Sequence, residues 1–211
     1  FARQAAAFAE NGFAAACVGY RLRPEVDIPQ CIEDVKAATR WMRANAAKYN
    51  TDPDRFGAYG GSAGAHLAAI LGTSFKAKQL EGKGGNEGVS SRVHAVVALA
   101  TPSDFTRFDR AFQGDKDTAK RISPITYVDA DSAQFLLMHA RGDRTVPYTQ
   151  STLLLEELQA AKVPAALTTI ETQSHAFWNG TSKTAAKSLA YTIAFFNKTL
   201  KNTTTSTDKR C

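Results

Sequence analysis

Five residues, Gly60-Gly61-Ser62-Ala63-Gly64, set one serine among glycines and an alanine where an apolar run gives way to a helical one. They fit G-x-S-x-G between a strand and a helix, the context that makes this short pattern a nucleophile elbow. The chemistry it suits is acyl transfer through a serine hydroxyl. A serine on so sharp a turn holds a strained backbone and exposes its Oγ. Side chains two residues away on either side would crowd it, so Gly60 and Gly64 suit those places. The helix that follows aims its first amides at the reacting oxygen, and the N–H of Ala63 is placed to donate to an oxyanion. The competing reading is a serine that merely caps a helix packed tightly on a strand.

A serine hydroxyl needs a base, and the base needs an orienting acid. The four histidines are His66, His94, His139 and His175. His66 lies one helical turn past Ser62 and reads as an inward packing or hydrogen-bonding residue. His94 opens a strand and His139 closes one. His175, in "ETQSHAFW", sits on a polar loop after the last strand. Ligands bind at the carboxyl ends of strands in open α/β sheets, so His175 is the expected base. The expected acid is Asp143 in "HARGDRTVP", again just past a strand. Asp104 in "ATPSDF" is its rival, with a turn or helix cap as the plainer reading. Asp129 and Asp131 read as loop surface. The chain order Ser62, Asp143, His175 is that of the serine–acid–histidine hydrolases. No His, Cys, Asp or Glu cluster has metal-ligand spacing, so neither a metal nor another cofactor is expected.

These residues need a frame, and two patterns alternate along the chain to make one. Short apolar runs occur at Gly12–Tyr20, Arg55–Gly60, His94–Ala100, Gln134–Ala140 and Ala165–Glu171. Helical periodicity occupies Ile28–Asn50, Ser62–Ser74, Gln150–Lys162 and Lys183–Leu200, and "FARQAAAFAENG" reads as an amphipathic helix. The alternation predicts an α/β fold, a mainly parallel sheet with helices on both faces. Lys76–Arg92 is Gly-rich and charged, hence a loop, and Thr101–Ser132 is an irregular excursion with short helical pieces. One domain is expected over residues 1–200, with a disordered tail over 201–211.

The 211 residues allow a sizeable core, and 44% hydrophobic with 22% charged residues fits a globular chain. No apolar run approaches membrane-spanning length. The net charge of +6 is scattered, with no basic run interleaved with aromatics, so no nucleic-acid partner is expected. Cys17, Cys31 and Cys211 form no disulfide framework. Cys17 reads as a buried core thiol and Cys211 as part of the mobile end. Acceptor patterns for glycosylation at Asn179, Asn197 and Asn202 are weak signs of export. Location stays open, leaning to a secreted or periplasmic site.

The stretches "VGYRLRPEVDIPQCIEDVKAATRWMRANAAKYNTDPDRFGAYGGSAGAHLAAILGTS", "SPITYV", "MHARGDRTVPYTQS" and "SHAFW" resemble the α/β-hydrolase-fold serine esterases, in particular the bifunctional feruloyl/acetyl-xylan esterase-like group. The resemblance implies a carboxylic-ester hydrolase acting on short acyl esters, acetyl or feruloyl, as small molecules or linked to polysaccharide. Ser62, Asp143 and His175 would be its triad and Ala63 an oxyanion donor. Phe105, Phe177 and Trp178, with Phe108 and Phe112, would wall the substrate pocket, although single aromatics are more often core. Ala140 and the turn "LATPSDF" stand where such esterases commonly have glycine. An amidase or peptidase of the same fold, similar to the kynurenine formamidases in "GGSAGAHLA", and a non-catalytic hydrolase-like binding protein remain open. The resemblance also implies a His-Gly-Gly-Gly-type loop and a strand between Gly12–Tyr20 and Arg55–Gly60. Both are expected as upstream residues or a separate chain, with a gap in the sheet where that strand belongs.

Overall fold

A computed structural model describes residues 1–108 and 114–201. Four strands, β1 (Gly57–Gly61), β2 (Ala95–Leu99), β3 (Gln134–Ala140) and β4 (Ala165–Ile170), form one sheet in the order 1-2-3-4. Every pairing is parallel, with Gly60 opposite Ala98, Ala98 opposite Leu137 and Leu137 opposite Leu167. All residues of β2 are buried, as befits a strand covered on both faces, and its sequence is accordingly an unbroken apolar run.

Alternation along the strands divides the core in two. Val96, Ala98, Phe135 and Leu137 pack with α2 (Ile28–Ala44), α3 (Ala63–Thr73) and α5 (Thr149–Ala160). Ala95, Val97, Leu99, Leu136 and Met138 pack with Phe8 of α1 (Ala2–Glu10) and Phe196 of α6 (Lys183–Phe196). Nine of the eleven residues of α3 are buried, so this helix forms the centre of its layer. A short helix, α4 (Lys116–Ile122), lies in the excursion between β2 and β3 and is capped by the Asp115 side chain on the Thr118 amide. Phe112, Cys211 and the acceptor pattern at Asn202 lie outside the described residues.

The loop between α3 and β2 is fastened from below. Lys36 of α2, wholly buried, donates to Ser74 O, Glu81 Oε1 and Ser91 Oγ at 2.9, 2.9 and 3.2 Å. Arg40 donates to the carbonyl and carboxylate of Glu81, each at 2.7 Å. Burial pushes the Lys36 ammonium below the ordinary lysine range, against the opposing pull of Glu81.

Two expectations need correction. Gly12–Tyr20 is not a buried strand. It runs as irregular chain, and 14–19 are exposed, Val18 to 42%. An apolar run becomes a strand only when a neighbour takes its backbone hydrogen bonds. Among the described residues this segment pairs with none, and Cys17 is therefore exposed, not a core thiol. Between it and β1 lies a cavity of about 780 Å3. Its lining includes Ala14 and Val18 on one side, Val35 and Met42 of α2, and Ala58 to Ala63 on the other. The sheet thus has an apolar slot along the free edge of β1.

Candidate active site

Ser62 links β1 to α3 with φ 55° and ψ −119°, in the left-handed half of backbone space that a side chain rarely occupies. The turn is held from both ends. The Ser62 amide donates to Leu99 O at 2.8 Å, and Ser62 O accepts from the His66 amide at 3.0 Å. A Cβ on Gly60 would stand 2.2 Å from Gly64 O, so only glycine lets strand and helix approach this closely. The steric demand does not extend to Gly64, where a Cβ would meet nothing within 4 Å. It falls instead on Gly61, whose added Cβ would lie 2.3 Å from the Trp178 ring. Ala63 is the first residue of α3, one of the positions whose amides have no acceptor within the helix.

The loops after β1, β3 and β4 bring Ser62, Asp143 and His175 together. His175 Nδ1 lies 2.7 Å from Asp143 Oδ2, and His175 Nε2 lies 2.9 Å from Ser62 Oγ. A carboxylate only accepts, so the imidazole proton sits on Nδ1 and Nε2 is left to accept from the serine hydroxyl. The other oxygen of Asp143 accepts the amides of Thr145 and Val146 at 2.8 and 3.0 Å. Burial works to raise the Asp143 pKa. The hydrogen bond from His175 and the Val146 and Thr145 amides outweigh it and hold the carboxyl below its usual range. Asp143 is thus a buried, ionised acceptor facing an imidazole, and the imidazole faces a half-buried hydroxyl on a strained turn. This arrangement can move a proton from Ser62 to His175 while a carbonyl is attacked.

Asp104 is buried at its own turn, where Oδ1 accepts the Thr106 amide and hydroxyl at 2.9 and 2.5 Å. Buried His66 contacts Ile122 O through Nε2 at 2.7 Å and lies edge-on to Phe105. His94 sits at the opposite end of the sheet, its Nδ1 accepting the Phe56 amide at 3.3 Å. The aromatic candidates divide. Phe105 packs in the α2–α3–α5 layer, whereas Phe177 and Trp178 pack in the α1–α6 layer. Trp178 stands edge-on to His175 with ring centroids 5.5 Å apart. Its carbonyl takes Gln4 Nε2 of α1 at 3.4 Å, and Arg3 bonds the carbonyl of Gly180, so α1 fastens the histidine loop.

Some features of the site become visible only in the fold. The Gln150 side chain accepts both the Ser103 and Asp104 amides at 2.8 Å and fixes the turn after β2. Ala100, in the turn "LATPSDF", has φ 52°, a conformation that favours glycine. His139 is buried beside Asp143, a contact that only the fold creates.

Comparison with known proteins identifies the family and the fold. The BD-FAE family matches residues 1–158. The probable carboxylic ester hydrolase LipM of Mycobacterium tuberculosis is 29% identical over 187 residues, which are 80% of this chain and 43% of that protein. The chain spans less than half the length of such curated relatives. Among solved structures, a truncated carbohydrate esterase from gut microbiota superposes with a TM-score of 0.78 at 28% identity, over 90% of this chain and 75% of that one. The propionate-bound esterase Est2 of Thermogutta terrifontis gives 0.83 at 27%, over 93% and 75%. By sequence and architecture, the chain belongs to the BD-FAE family and has the α/β-hydrolase fold.

Proposed function

We propose that this chain carries the nucleophile, base and acid of a serine carboxylic-ester hydrolase. The observation that carries the reading is the hydrogen-bonded line Ser62–His175–Asp143 on a strained strand-to-helix turn. His175 Nε2 takes the proton as Ser62 Oγ attacks the ester carbonyl. The tetrahedral oxyanion accepts from the Ala63 amide. Collapse breaks the ester bond, and the alkoxide leaves as alcohol with the proton from His175. Water, giving a proton to His175, attacks the acyl carbon; the bond to Ser62 Oγ breaks, the acid leaves, and His175 returns the proton to Oγ. Asp143 steadies the imidazolium in both halves.

Short acyl esters, acetyl or feruloyl and free or polysaccharide-linked, are the proposed substrates. The carbohydrate esterase and the propionate-bound esterase among its structural neighbours support this class. Ser62→Ala and His175→Ala are each expected to lower kcat by roughly 10³-fold or more, nearly non-additively. Asp143→Asn should impair turnover more than Asp104→Asn. Near-normal turnover by Ser62→Ala would end the reading. A chain-length series of p-nitrophenyl esters peaking beyond about eight carbons would refute the substrate class.

The slot beside β1 supports a second part of the proposal. A strand from upstream residues or a separate chain fills it, and its glycine-rich turn supplies further oxyanion amides. One such donor is worth roughly 3–4 kcal/mol in the transition state. Residues 1–211 alone should then hydrolyse esters weakly, and full activity from them would refute this part.

A further inference from the structure

We propose that His139 is a positioning residue for the acid of this site, a role that rests on the triad reading above. His139 is the penultimate residue of β3 and is fully buried. Its Nε2 lies 3.0 Å from Val146 O, an atom that can only accept, so Nε2 carries the proton. Nδ1 lies 2.7 Å from Ser151 Oγ in α5 and accepts a hydrogen bond from that hydroxyl. Ser151 is itself fully buried, so the ring is fixed in one tautomer and one orientation. The same Nε2–H faces Asp143 Oδ2 at 3.5 Å, the oxygen that His175 uses.

Val146 ties these contacts together. Its amide donates to Asp143 Oδ1, while its carbonyl accepts from His139. His139 therefore clamps the 143–146 turn at its far end and lays a positive N–H edge along the carboxylate. Burial lowers the His139 pKa, against the Val146 and Asp143 contacts, which keeps the ring neutral. A neutral donor orients Asp143 without competing as a cation for its charge. That leaves the full anionic charge for the imidazolium that forms on His175.

Two substitutions separate this role from simple packing. An asparagine reaches the Ser151 side of the site but not Val146. A glutamine amide N–H reaches the Val146 carbonyl. In the full-length protein, His139→Asn should lower kcat for p-nitrophenyl acetate roughly 10- to 100-fold with little change in KM, as expected for a misaimed acid. It should also shift or broaden the downfield proton resonance of His175 Nδ1–H. His139→Gln should restore most of both. Equal losses in the two variants with that resonance unmoved, or no loss in either, would overturn the proposal. A measurement on the unsubstituted protein does not depend on a variant folding. The 15N spectrum should show His139 neutral at pH 7 with its proton on Nε2, and a ring charged or protonated on Nδ1 would equally overturn it. The resonance reports on the His175–Asp143 bond whether or not Ser62 is the nucleophile. Failure of the triad reading would show instead as turnover retained by Ser62→Ala.

Discussion

Gly60 and Gly64 flank Ser62 symmetrically in the sequence, yet substituting them should have opposite effects. At Gly60 an added Cβ would lie 2.2 Å from Gly64 O, 2.3 Å from Gly64 C and 2.8 Å from Ala65 N. All three are backbone atoms, so no rotamer change relieves the overlap and β1 must part from α3. Overpacking costs about 1–3 kcal/mol, and a clash with rigid backbone belongs at the upper end, about 3 kcal/mol. At Gly64, inside α3, an added Cβ meets nothing within 4 Å. There alanine gains about 0.5–1 kcal/mol from its better helix propensity. The two single variants should differ by roughly 4 kcal/mol in unfolding free energy. Equilibrium urea unfolding followed by circular dichroism measures this, with slopes compared to confirm a common unfolded state. Ester turnover should fall for Gly60→Ala, since Ser62 moves with the turn. A Gly60→Ala midpoint equal to or above that of Gly64→Ala would refute the reasoning.

Acid should destabilise the fold through His66, whose pKa burial lowers to about 4, against its contact with Ile122 O. The unfolded ring titrates near 6.5, so between these values the unfolded state binds the extra proton and stability falls as pH falls. The loss is about 3 kcal/mol from pH 6.5 to 4, measured as urea unfolding free energy. His66→Gln should lose less over that range, and an identical pH slope would contradict the assignment. Glu81→Ala leaves Lys36 and Arg40 buried without their anion and should cost about 3–5 kcal/mol. Lys36→Met should cost less, because Glu81 keeps Arg40 and Ser91. The reverse order in denaturant midpoints would count against a network centred on Glu81.

What the sequence disclosed follows from how far each signal reaches. The strands β2 and β3 are covered on both faces, so composition alone marks them, and Gln134–Ala140 was legible to the residue. The turns that hold the proposed triad are legible too, because Ser62, Asp143 and His175 each stand past a strand end. Gly12–Tyr20 has the same apolar composition as those strands. Composition records that a segment can be buried, whereas a strand also needs a partner for its backbone, and that requirement is not local. The exposure of Cys17 has the same cause. The aromatic candidates show a second limit. Phe105 and Trp178 look alike as aromatics near a site, but the core they join depends on how each loop leaves its strand, which no periodicity records. His139 shows the limit most directly. Its period along β3 marks it as a core residue and says nothing of Ser151, Val146 or Asp143. Those partners meet it only after β3, the 143–146 turn and α5 pack. A histidine at the end of a buried strand can be inert filling or a support for the acid beside it. The distinction lies in which nitrogen holds the proton, and here the Val146 carbonyl decides that.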